Sequence, residues 1–218
     1  MRKLNLRIVV GALLGMLFLQ SFAQDLRVYG YYPSYRATSV LTGQYEKYTD
    51  LAFSFINATT NGNLIQNNPD DDLWGFDMNK FTTVKDNCAS TVPKVNFWIS
   101  LAGADEFEKR SERMNIICGN SSARATLVSE LVAFANLHGC YGISVDWEFP
   151  KTATARNNHV ALLEDLASEI ANSSNTNLQV AVAAGGEYEG NINHIQYVHP
   201  DLLGSKQHLI DEWHVMTY

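Results

Sequence analysis

Short β-rich runs alternate with longer helical runs along almost the whole chain, and this alternation restricts the fold more than any other feature. β-rich runs cover residues 28–32, 51–56, 95–101, 141–147, 178–183 and 213–218. Turn signals close most of them: Pro33-Ser34, Ala102-Gly103, Pro150 and Gly185-Gly186. Between them, Leu127, Leu131, Phe134 and Leu137 recur at helical spacing behind the capping pair Asn120-Ser121, and Gly139 follows the last turn. Leu163, Leu166 and Ile170 mark a second helix, and Met78, Phe81 and Val84 a third. Strands separated by helices pair in parallel and are covered on their outer side. Two architectures meet that demand, a doubly wound sheet and a (β/α)8 barrel. The glycine-rich phosphate turn of a dinucleotide-binding sheet is missing after the first strand. The expected class is therefore α/β of the (β/α)8 TIM-barrel type. Such a barrel takes about 250 residues and eight strands, and this chain of 218 residues supplies about six of them.

Residues 1–23 stand outside that fold. Arg2, Lys3 and Arg7 precede an apolar run that ends at Ser21-Phe22-Ala23, the pattern of a cleaved secretory signal rather than of a spanning helix. The expected product is a secreted protein, extracellular or periplasmic, whose catalytic domain is residues 24–218. Removing the leader leaves 13 basic against 23 acidic side chains, a net charge of −10. That balance argues against nucleic acid and membrane as partners and suits a neutral or cationic ligand. Cys88, Cys118 and Cys140 allow either one disulfide with a free thiol or three buried thiols. The aspartates at 70–72 lack the spacing of a calcium loop and read as solvated, so no metal or cofactor is expected.

The fourth strand carries the chemistry. In Gly142-Ile143-Ser144-Val145-Asp146-Trp147-Glu148-Phe149-Pro150, alternation places Gly142, Ser144, Asp146 and Glu148 on one face. Ile143, Val145 and Trp147 take the other, toward packed helices. The two acids fall at the C-terminal end of the strand, where barrel active sites are built. Their Cα atoms lie about 6.6 Å apart at strand rise. Two acids that close do not both ionise cheaply, so one is held protonated. Glu148, nearer the strand end, is the expected general acid and Asp146 its partner. A nucleophile elbow around Ser144 is excluded, because Asp146 stands where that turn needs glycine.

These residues resemble glycoside hydrolase family 18. Its fourth-strand signature D-G-x-D-x-D-W-E-x-P is matched from Tyr141 to Pro150, with D-W-E-F-P intact at the end. Gly30-Tyr31-Tyr32-Pro33-Ser34 is similar to the family's first strand, Ser100-Leu101-Ala102-Gly103 to its S-x-G-G, and Met216-Thr217-Tyr218 to its M-x-Y-D. The resemblance implies hydrolysis of β-1,4 bonds beside N-acetylglucosamine, with the substrate's own acetamide as nucleophile. It makes Glu148 the acid/base, Asp146 the group that orients the acetamide N–H, and Tyr218 a donor to the acetamide oxygen. Ser100, Ser144 and Met216 join the substrate-binding set through their motifs. Tyr32, Trp98 and Tyr188 are the candidates for stacking on sugar rings.

The match departs from the family at two aspartates, replaced here by Tyr141 and Ser144. Without a negative neighbour at 144, Asp146 is expected to ionise more readily. The aspartate after Tyr218 and the last two strands are also lacking, which suggests part of a longer enzyme that is poorly soluble or inactive alone. Three other readings compete, of which the first uses similar residues. One is an endo-β-N-acetylglucosaminidase acting on N-glycans, another a chitin-binding lectin, and the third an inhibitor of xylanases. Glu148 favours an enzyme over the second.

Overall fold

The computed structural model describes residues 26–66, 76–104, 108–186 and 197–216. The leader at 1–23, the acidic run at 70–72, Tyr188 and Tyr218 lie outside the described residues.

Seven strands are present among them: β1 (Tyr29–Pro33), β2 (Asp50–Ala58), β3 (Leu64–Ile65), β4 (Asn96–Ala102), β5 (Gly142–Asp146), β6 (Gln179–Gly185) and β7 (Glu212–Met216). Four α-helices connect them: α1 (Met78–Ser90), α2 (Lys109–Gly119), α3 (Ser121–Leu137) and α4 (Ala153–Asn172). The sheet runs β1-β2-β4-β5-β6-β7 with every neighbour parallel, and β3 folds back antiparallel on the end of β2. This is a six-stranded arc of a (β/α)8 barrel, as the alternation predicts.

The helices start where side chains can satisfy their first N–H groups. Asp77 accepts from Asn79 and Lys80, Asn120 from Ser122 and Ala123, and Thr152 from Ala155. Each such cap stabilises by about 1 kcal/mol. The main core lies between the outer face of the sheet and the helices. Leu51, Phe53, Ile99, Ile143, Val145 and Val182 meet Phe81, Leu127, Leu131 and Leu163 there. Cys88, Cys118 and Cys140 are free and buried in this layer, which is the second of the two cysteine readings. Burial pushes their thiols up to about 12, so none is a ready nucleophile.

The inner face holds a different set. Ala52, Trp98 and Ala181 form a small apolar floor with Tyr29 against it. Trp98 donates its Nε1–H to Asp50 at 3.0 Å, and Asp50 also accepts from Arg27, Thr49 and Asn96. Burial works to raise the Asp50 carboxyl. The bonds from Arg27, Thr49, Trp98 and Asn96 outweigh it and hold the group below its ordinary range.

Two stacking candidates are corrected by this layering. Tyr32 lies on the outer face, 1% exposed, packed on Phe53 and donating its hydroxyl to the Arg36 carbonyl. The lumen-facing tyrosines of β1 are Tyr29 and Tyr31, which alternate with it along the pleat. Trp98 does face the lumen, but at its floor and with no exposed surface. Neither ring has a free face for a sugar.

Candidate active site

The loop after β5 is tied down before the acids are placed. Trp147 turns outward and is buried, donating its Nε1–H to Ser111 Oγ at 3.0 Å. Ser111 Oγ in turn donates to the Phe149 carbonyl at 3.0 Å. Two bonds to α2 therefore hold the residues on either side of Glu148. The backbone N–H of Gly103, at the end of β4, donates to the Asp146 carbonyl at 2.6 Å. Glu148 itself is half-buried at the strand end, and the Glu148–Phe149 peptide bond is cis.

Asp146 is 4% exposed, and its Oδ1 has no hydrogen-bond partner among the described residues. Burial pushes its carboxyl well above the usual carboxylate range, the charge of Glu148 and a hydrogen bond with Glu148 push the same way, and Arg110 opposes them. Ser144 brings no charge to Asp146, and the rise comes from burial and from Glu148. Asp146 and Glu148 thus titrate as a linked pair, and the Asp146 carboxyl holds its proton more firmly than an exposed aspartate does.

Glu148, with Pro33, Ser54 and Phe55, borders two cavities. One, of about 390 Å³, opens over the lumen and is lined by Tyr31, Asp146, Glu148, His214 and Met216. The other, of about 230 Å³, lies toward Ser34, Tyr35 and Arg110 and is also lined by Glu148. Of the sequence candidates, Asp146, Glu148 and Met216 come together at the first cavity. Ser144 sits below Asp146 on the same face, and Ser100 lies beside Ser144 in register. Ser54, Ser100 and Ser144 make a row of small buried side chains across three strands. Tyr32 and Trp98 do not reach the site.

Sequence reasoning missed Tyr31, Arg110 and His214. Tyr31 hydrogen-bonds Ser144 and His214. Arg110 is 4% exposed, bonds the Ala104 carbonyl and lies 5.0 Å over the Phe55 ring. Strand alternation carried the signal for two of them, since Tyr31 shares a face with Tyr29 and His214 with Met216. Arg110 sits on α2, whose charged first turn hides its buried face.

The family model for glycosyl hydrolases family 18 matches residues 27–218, and the chain belongs to that family. No curated protein matches the sequence. Solved structures that share the fold include a chitinase-like agglutinin from Robinia pseudoacacia, at 20% identity and TM-score 0.69 over 87% of this chain and 54% of that one. The Group IV chitinase of Ostrinia furnacalis matches at 20% identity and TM-score 0.64, over 88% of this chain and 52% of that one. A doubly substituted family 18 chitinase from Cycas revoluta, in complex with (GlcNAc)4, matches at 18% and 0.63, over 87% and 54%. The chain spans about half the length of these structures.

Proposed function

We propose that the protein hydrolyses β-1,4 bonds in chitin or related N-acetylglucosamine polymers, retaining configuration through an oxazolinium intermediate. The observation that carries this reading is Glu148 bordering two cavities beside the buried Asp146. A glycosidic bond lying across Glu148 would place one sugar on each side and its bridging oxygen at the carboxyl.

The proton on the pair does the rest. In the free protein burial strengthens the hold of Asp146 on it. A substrate acetamide N–H that donates to Asp146 compensates the buried charge, so the proton passes to Glu148. Glu148 then protonates the leaving oxygen as the acetamide carbonyl attacks the anomeric carbon, and afterwards draws a proton from the incoming water. Tyr218 as donor to the acetamide oxygen, and Ser100, Ser144 and Met216 as substrate contacts, belong to the same reading. Tyr31 and His214 fit the wall beneath the sugar better than Tyr32 or Trp98. A cleaved leader over residues 1–23 would deliver the protein to the extracellular or periplasmic space where such polymers occur.

The test is turnover of N-acetylglucosamine oligomers by the wild type and by Glu148→Gln. A fall of about 10²–10⁴ in kcat with binding retained supports the acid/base role. A second reading, a lectin that binds without cleaving, is favoured by the structural likeness to the agglutinin and by Ser144. Equal oligomer binding by both proteins with no product from either would select it.

A further inference from the structure

Tyr141 departs from the family signature, and it stands at the other end of β5 from the catalytic pair. At strand rise, Tyr141 and Asp146 are about 16 Å apart. A cavity of about 430 Å³ opens beside Tyr141, on the N-terminal side of the sheet. Asn96 lines it from the start of β4, Tyr141 from just before β5, and Asn175 and Asn177 from just before β6. Lys85 on α1, Lys94 ahead of β4 and His138 after α3 also line it. The reading of the active site uses none of these residues.

The Tyr141 ring is held on one side and exposed on the other. Its centroid lies 5.2 Å from that of Trp98, edge to face at 62°. Its backbone N–H donates to the Phe97 carbonyl at 2.7 Å, and its carbonyl accepts from the Gln179 N–H at 3.2 Å. The residue is still 39% exposed. A ring fixed in this way loses little freedom when a ligand packs on it. The aspartate of the signature would bring a charge to this place, and tyrosine brings an apolar face.

The charges around the cavity narrow the ligand class. Among the described residues no carboxylate lines it, which disfavours a cation. Lys85 is paired with Asp86 at 2.8 Å. Burial and the charge of Lys85 lower the pKa of His138, so that imidazole is neutral near pH 7. Lys94 remains, and one exposed ammonium, screened by water and salt, holds an anion weakly. The amides offer more. Asn96 donates to Asp50 at 3.0 Å and keeps its Oδ1 to accept. Asn175 Oδ1 accepts from the Asn177 N–H at 3.1 Å and keeps its NH2 group to donate. Sugar hydroxyls and an acetamide both donate and accept, as these side chains do. A neutral sugar ring therefore finds polar partners at its edge and Tyr141 for its C–H face.

We propose that this cavity is a second, non-catalytic saccharide site, with Tyr141 as the platform for one N-acetylglucosamine ring and Asn96, Asn175 and Asn177 as its polar partners. The choice of N-acetylglucosamine among neutral sugars rests on the reading of the catalytic pair. Backbone amide shifts of the Glu148→Gln protein are followed by NMR as the N-acetylglucosamine tetramer is added. Two separate groups of amides respond, one around Gly103 and Asp146, the other around Gly139, Tyr141 and Asn177. Tyr141→Ala weakens the second response about tenfold and leaves the first. Asn177→Ala, a change on an exposed loop, weakens it about fivefold and stands in if Tyr141→Ala does not fold. A response around the catalytic pair alone overturns the second site. So does a second response that these variants leave unchanged, or one that inorganic phosphate reproduces at equal concentration, which marks an anion site. A response at the second group alone upholds the site and counts against the catalytic reading, and no response at either overturns both.

Discussion

Trp98 and Gly142 occupy one layer of the lumen so closely that a Cβ at Gly142 would stand 2.3 Å from Trp98 Cζ3 and 2.6 Å from the Gln179 carbonyl. Of the D-G pair that opens the family's fourth-strand signature, the chain keeps the glycine, and packing demands it, because the indole takes the space that any side chain at 142 would need. Gly142→Ala is expected to destabilise by about 1–3 kcal/mol through overpacking. Urea unfolding of the two proteins checks it, and an unchanged midpoint would mean that Trp98 has room to move.

Ala102 has φ +76°, in the left-handed region, directly before Gly103 at φ +76°. The S-x-G-G comparison puts a glycine at 102, and the backbone still adopts the conformation a glycine would. An L side chain there costs about 1–2 kcal/mol. Ala102→Gly should therefore raise stability by about 1 kcal/mol, less the small loss of buried methyl. Thermal or urea unfolding reads the difference. Gly103 has no such latitude, since a Cβ would fall 2.4 Å from the Phe55 ring.

His159 is buried on α4, edge-on to Trp147, with neither ring nitrogen hydrogen-bonded among the described residues. Burial holds its pKa down to about 4. The unfolded chain takes up this proton near pH 6.5 and the folded one does not. Stability is therefore present above pH 6.5 and lost as pH falls through about 4, by about 3 kcal/mol in all. His159→Leu should flatten the stability profile between pH 6.5 and 4. A profile as steep as the wild type's would place the acid sensitivity elsewhere.

Asp146 gives the opposite slope. Its folded pKa is raised by burial and by Glu148. The unfolded chain ionises near pH 4 while the folded one stays protonated, so stability falls as pH rises from there through the raised value. Asp146→Asn should stabilise the protein by an increment that grows with pH over that window and then levels off. A pH-independent increment would contradict the buried, shared proton.

The architecture was legible because periodicity reports which residues face a core: each of the six β-rich runs became a strand of the parallel arc, and Asn120 caps α3 as its position suggests. The outer face was legible for the same reason. What escaped depends on residues far apart in sequence. Tyr32 reads as a strand-end aromatic, yet which of two adjacent tyrosines turns inward is set by β1 pairing with β2, Tyr31 opposite Ala52 and Tyr32 opposite Phe53. Trp98 falls in the middle of the run 95–101, and only packing across strands shows it filling the floor, bonded to Asp50. Helix α2 was missed because Lys109 to Arg113 is charged, and the apolar face that seats Met114, Ile117 and Cys118 is short.

In the proposed reaction the substrate's acetamide takes the place of a second protein carboxylate at Glu148. The most direct measurement follows, by proton NMR, the first product released from an N-acetylglucosamine oligomer and from the same oligomer stripped of its acetyl groups. The account predicts that the β-anomer appears first from the acetylated oligomer and that the deacetylated one is not cleaved. Initial release of the α-anomer, or equal cleavage of both oligomers, would contradict it.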